Sequence, residues 1–155
     1  MIEILNTKEW HNVAKFLREQ FGVEHFSGRI MKLGEEKLFL FTGDATNEEI
    51  KKLEEIVPVE RLGVYFAKLI RNDVKLNIEG TQALKNQIKK NIFEIDEEQA
   101  TKWMQGQELN IKTGKKNFLV MKYKDNFLGC GKASEEKIGN FVPKMRRLKS
   151  RTFST

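Results

Sequence analysis

From position 7 to 21 the apolar residues recur three and four apart. Trp10, Val13, Ala14, Leu17 and Phe21 share one face of a helix, with Thr7 placed to cap it and Gly22 to stop it. Two short strand-like runs follow at 29–33 and 37–42, joined by the hairpin turn Gly34-Glu35-Glu36. The T-x-x-E pattern of Thr46 and Glu49 opens a second helix that buries Ile50, Leu53, Ile56 and Val57, and Pro58 ends it. Residues 1–58 therefore read as a small α+β unit.

Beyond it the pattern shortens. Strands are expected at 62–70 and 74–78 around the turn Asn72-Asp73, then a short helix over 80–90 capped near Thr81. A strand at 91–95 leads to Asp96, which caps a helix over 97–105 with Ala100, Trp103 and Met104 inward and Gly106 as its stop. Further strands are expected at 109–111, 118–123 and 127–132, with turns at Thr113-Gly114-Lys115 and Lys124-Asp125-Asn126. The last expected strand, 141–148, contains Pro143, which implies an edge position or a strand start. Short strands with two inserted helices predict an α+β fold closing as a small mixed barrel, not a doubly wound sheet.

Charge changes the picture at the C-terminal end. Residues 110–155 hold 12 Lys and Arg against 3 Asp and Glu, while residues 1–109 hold 16 against 19. After Glu136 no acidic side chain follows, but Lys137, Lys144, Arg146, Arg147, Lys149 and Arg151 do. A positive field this local suits a phosphate-bearing partner. Strand alternation cannot put Arg146 and Arg147 on one face, so a solvated tail is the competing reading. Three of the six cations are arginines, and Phe141, Val142, Met145 and Leu148 are interleaved with the basic positions; both features favour nucleic acid.

Catalytic and metal signatures do not emerge. No phosphate-binding glycine loop and no H-E-x-x-H occurs, and His11 and His25 are isolated, as surface residues are. Asp96-Glu97-Glu98 and Glu48-Glu49 sit at helix starts, where the dipole favours acids. The lone Cys130 excludes an intrachain disulfide and reads as a small buried residue. It lies between Gly129 and Gly131, followed by Lys132. Two readings of those glycines stay open: a backbone edge pressed against sugar-phosphate, or a bulge or tight barrel corner. No apolar run is long enough to span a membrane, and the N-terminus lacks a signal-peptide pattern, so a soluble cytoplasmic protein is expected, with no membrane partner.

These residues carry a resemblance. Residues 62–71 followed by Lys75-Leu76-Asn77-Ile78-Glu79-Gly80-Thr81-Gln82 look like the opening of a PUA-type RNA-binding domain. So do Asn91-Ile92-Phe93-Glu94-Ile95, the helix after Asp96, and residues 127–132. The ending Asn140-Phe141-Val142-Pro143-Lys144-Met145-Arg146-Arg147-Leu148 is similar to that of the PUA-like domain appended to Sun/Fmu-type RNA cytosine-5 methyltransferases. Residues 1–58 resemble the "pre-PUA" unit that precedes such domains in archaeal RNA-binding proteins. The resemblance implies a pre-PUA α+β unit at 1–58 and a PUA-like β-pseudobarrel at 60–155 with two short helices. It implies RNA binding by the 80–90 helix and the closing strand, which by position points to Gly80, Lys85, Lys132, Asn140, Lys144, Arg146 and Arg147, with Lys149 beside them. The methyltransferases' cofactor-binding sheet and second motif cysteine have no counterpart here. The expectation is thus a standalone, non-catalytic module without cofactor or metal.

The resulting expectation is a protein that grips structured RNA (tRNA or rRNA) in RNA modification or ribosome biogenesis. If about five cations contact phosphate, the log–log salt slope of binding is roughly −3.5 to −4.5. The alternative is an interaction subunit that docks on an RNA-modifying enzyme or pre-ribosomal particle through its N-terminal unit. A small hydrolase or transferase with an unrecognised site is a third reading.

Overall fold

The computed structural model describes residues 2–56 and 63–149. Its first layer is a five-stranded antiparallel meander, in spatial order β1 (Ile2–Ile4), β2 (Arg29–Leu33), β3 (Lys37–Phe41), β4 (Val64–Ile70) and β5 (Asp73–Leu76). Helix α1 (Thr7–Phe21) lies between β1 and β2 in sequence and buries Val13, Leu17 and Phe21. Its cap is Asn6, one residue before the expected Thr7: the Asn6 side chain accepts from the Glu9 N–H at 2.8 Å, and Glu9 accepts in return from the Asn6 N–H. Gly22 closes the helix in the left-handed region as expected. Helix α2 (Asn47–Ile56) opens on Thr46, whose hydroxyl accepts from the Glu49 N–H at 3.1 Å. The Pro58 stop lies outside the described residues.

Strands from both sides of positions 58–60 share this sheet, because β3 pairs with β4 through Lys37↔Lys68 and Leu38↔Ala67. Their inner faces share one core with α1, in which Leu17, Leu38, Phe66 and Val74 pack with Val120 and Cys130 of the second layer.

That second layer is a four-stranded sheet, β6 (Ile92–Glu94), β7 (Phe118–Tyr123), β8 (Asn126–Ala133) and β9 (Ile138–Asn140). β6 and β7 run parallel, and the connection carries α4 (Glu97–Met104), capped by Asp96 as expected. Residues 118–121 are buried on both faces: Phe118 and Val120 face the first core, Leu119 and Met121 the second, which is built around fully buried Trp103. Cover on both sides explains why β7 reads as a continuous apolar run. The expected strand at 109–111 shrinks to a single bridge, Leu109↔Ile138. The mixed α+β class is the one expected.

Two expectations near the site are corrected. The helix expected over 80–90 is α3 (Ile78–Ala83), capped by Asn77, whose Oδ1 accepts from the Gly80 N–H at 2.8 Å. The Asn77 cap sets the start two residues before Gly80, and the segment after Ala83 forms turns, with Leu84 and Ile88 buried. The expected strand over 141–148 does not form. β9 ends at Asn140, and the chain turns through Pro143 into a 3-10 turn at Lys144–Arg146. Pro143 has no N–H to give a strand ladder, and its φ of −62° suits the start of such a turn.

Candidate functional site

The basic tail is an anchored clasp as far as residue 148. Asn140 Nδ2 donates to the Trp103 carbonyl at 2.8 Å and the Gln107 carbonyl at 2.9 Å, and its Oδ1 accepts from the Val142 N–H at 2.7 Å. Val142 is buried in the second core. Arg147 Nε donates to the Val142 carbonyl at 2.9 Å, and the Leu148 N–H donates to the Met104 carbonyl at 2.8 Å. Arg147 also lies across Gly106, where a Cβ would stand 2.4 Å from its Nε. The carbonyls left over at the end of α4 thus hold the segment in one course.

The clasp forms one wall of a cleft of about 490 Å³. Opposite it stand Tyr65 and Lys68 of β4 and Lys75 of β5, while Ile78 and Glu79 of α3 close one end and Leu128, Gly129 and Cys130 lie along the floor. The Lys75 ammonium sits 4.3 Å from the centroid of the half-exposed Phe141 ring. Phe141 in turn leans on Phe118, with centroids 6.2 Å apart, and Lys132 lies over Phe118 at 4.5 Å. A lysine–ring–ring–lysine row therefore runs from the cleft onto the outer surface.

Most basic groups here have no acidic partner. Among the described residues no carboxylate reaches ion-pair distance of Lys75, Lys132, Lys144 or Lys149. Lys68 pairs with Glu36 at 3.1 Å, and Arg146 pairs with Glu79 at the cleft mouth. Burial holds Lys75 below the ordinary lysine range, and the neighbouring Lys68 charge adds to that. An ammonium partly stripped of water, without a carboxylate to compensate it, favours an incoming anion. Cys130 is the inert residue expected: burial pushes its thiol up to about 12, so no thiolate is available at neutral pH.

The residues expected to form the site separate into four groups. Lys132, Lys144 and Lys149 have side chains available to a partner, and Arg146 has one shared with Glu79. Asn140 is spent on the backbone bonds that hold the clasp, and Arg147 joins them through its Nε while keeping its charge. Gly80 is buried with its Cβ position 2.0 Å from the Phe66 carbonyl oxygen, so it seats α3 on β4. Lys85 is exposed beyond the C-terminal end of α3, whereas Arg146 meets Glu79 in the first turn of that helix.

The glycines of β8 take the structural one of their two readings. Leu128 and Gly129 together face Met121, a β-bulge in which Gly129 has a φ of 80°. At Gly131 a Cβ would stand 2.5 Å from Ile138 Cγ2 and 2.6 Å from Trp103 Cη2. The sequence reading missed Lys68, Lys75 and the ring of Phe141. Alternation in β5 does put Lys75 on the face opposite buried Val74 and Leu76; that the clasp covers this face is a tertiary fact.

Residues 90–148 match the family described as the methyltransferase RsmF PUA domain. The chain is also similar to the ribosomal RNA small subunit methyltransferase F of Vibrio parahaemolyticus, at 27% identity over 144 residues, covering 88% of this chain. It spans 29% of that relative's length.

Proposed function

We propose that this chain is an RNA-binding module serving ribosomal RNA modification and performs no catalysis itself. The observation that carries the reading is the anchored clasp, which carries Lys144, Arg146 and Lys149 on a fixed course and lines the cleft that holds Lys75. In such an arrangement the backbone entropy of the segment has been spent before binding, so phosphate contacts gain more. Affinity is mostly electrostatic, with selection by shape and 2′-hydroxyl contacts in structured RNA, rRNA or tRNA. Residues 60–155 are the RNA-binding part and residues 1–58 the pre-PUA unit, the two sharing one sheet.

The test is fluorescence anisotropy with a ribosomal RNA hairpin at low salt, comparing the wild type with Lys144→Glu/Lys149→Glu. Both side chains are exposed, so the double variant keeps its fold. Expected are micromolar or tighter wild-type binding that weakens with salt, and a loss of at least tenfold in the variant. No binding at low salt overturns the reading.

A second reading has its own observation. Leu53 and Ile56 of α2 are exposed, Ile56 at 78%, and Trp10 stands half-exposed 5.9 Å from Phe26. These apolar positions favour docking of the N-terminal unit on an RNA-modifying enzyme. Specific capture of a methyltransferase after nuclease treatment, abolished by Ile56→Lys, is the result that reading requires.

A further inference from the structure

We propose that the cleft between β5 and the clasp takes a single unpaired nucleotide of the bound RNA, its base on the Phe141 ring and its phosphate at Lys75 and Lys68. The inference rests on the RNA-binding reading and goes beyond it, since backbone and shape contacts alone need no unpaired base.

Three features converge. At about 490 Å³ the space falls within the range of small-ligand sites, far below what a duplex occupies. One wall carries an aromatic ring that is 44% exposed although the chain on either side of it is pinned. A large apolar ring held rigidly and still open to solvent is what base stacking uses, because every base offers a π-face. Lastly, Lys75 lies over that ring with no carboxylate at ion-pair distance among the described residues, and Lys68 lines the same cleft.

In the unliganded protein the Lys75 ammonium covers the Phe141 ring. Its contact is a cation–π one, and the four-carbon stem lets the head group swing away. An entering base takes the ring face and the ammonium moves to the phosphate that follows the base into the cleft. Lys75 is thus a placeholder released by its own ligand. At the mouth, the Glu79 carboxylate can accept from an exocyclic amine, and Arg146 closes over the sugar-phosphate once that carboxylate is engaged. Adenine, cytosine and guanine carry such an amine where uracil does not, so uracil is the disfavoured occupant.

The experiment uses the full chain and two RNA hairpins, identical except that one carries a single bulged adenosine. Stacking of one base corresponds to about fivefold to a hundredfold in affinity. The wild type is expected to prefer the bulged hairpin within that range. Phe141→Ala should erase the preference, Phe141→Trp should keep it, and Lys75→Gln should lower it. Equal wild-type binding of the two hairpins overturns this inference while the RNA-binding reading stands, as does a preference that survives Phe141→Ala. Binding of neither hairpin overturns both. Replacing the bulged adenosine with uridine should cut the preference; an unchanged preference removes the role given to Glu79.

Discussion

At the scale of single residues, one side chain can be read from sequence as a contact and turn out to be a support. Asn140 lies next to the basic run and is polar, which is all that sequence offers; its three bonds to Trp103, Gln107 and Val142 become visible only when β9 meets α4. Asn140→Ala leaves backbone groups unpaired and should cost toward the upper part of about 1–3 kcal/mol, measured as a shift in urea unfolding. Asn140→Asp keeps the acceptor for the Val142 N–H but loses both donations, so it should rescue little. Lys75 allows a pH test. Its folded-state pKa lies below the ordinary 10.5, chiefly through burial and then through Lys68, with Cys130 and Glu36 acting the other way. Between that depressed value and 10.5 the unfolded chain holds the extra proton, so this residue's contribution to stability increases as pH rises. Lys32 and Tyr65, both raised, lose stability toward the top of that range, so the readout is a difference: the denaturation midpoints of wild type and Lys75→Gln, followed from neutral pH to about 10.5, should move apart in favour of the wild type. The opposite trend would mean that Lys75 is better stabilised as a cation than its surroundings indicate.

At the scale of elements, α2, α4 and the β7–β8 hairpin were legible in the sequence, whereas α3 and the segment after Asn140 were not. α4 carries its capping box in Asp96 and Gln99, and the turn at Lys124-Asp125 between β7 and β8 is equally local. The stretch after Asn140 is different, because nothing local separates an apolar–basic alternation that pairs from one that is clasped by the end of a helix. The β8 glycines show the same limit. Their spacing signals a close approach, but only the packed sheet says what approaches, and it is Trp103 and Ile138, not a ligand. Gly131→Ala should therefore destabilise by about 1–3 kcal/mol through overpacking. Gly80→Ala, with its Cβ against the Phe66 carbonyl, should do at least as much, and any lost RNA binding should track the lost fold. Thermal unfolding and anisotropy on the same samples check this. A stable Gly80→Ala protein that no longer binds would return Gly80 to the interface.

For the whole molecule, the asymmetry of charge was readable from the chain, whereas the geometry of the surface it makes was not. Residues 110–155 carry the excess, yet the fold adds Lys68 and Lys75 from the first sheet and withdraws Arg147 into the clasp. Six groups, Lys68, Lys75, Lys132, Lys144, Arg146 and Lys149, then remain for phosphate. That number gives a log–log salt slope of roughly −4 for single-stranded RNA and roughly −5.5 for a duplex. Each phosphate-contacting lysine removed should reduce the slope by just under one, and Lys144→Gln and Lys149→Gln are the clearest cases. Glu79 makes the count itself testable. It neutralises Arg146 in the free protein, so Glu79→Gln should strengthen binding of a fully paired hairpin and steepen the slope, because Arg146 then meets phosphate without first giving up a partner. If Glu79→Gln weakens binding of that paired hairpin while the slope holds, the carboxylate contacts paired RNA directly as well. In that event Arg146 serves to aim it, and the positive face works through five groups, not six.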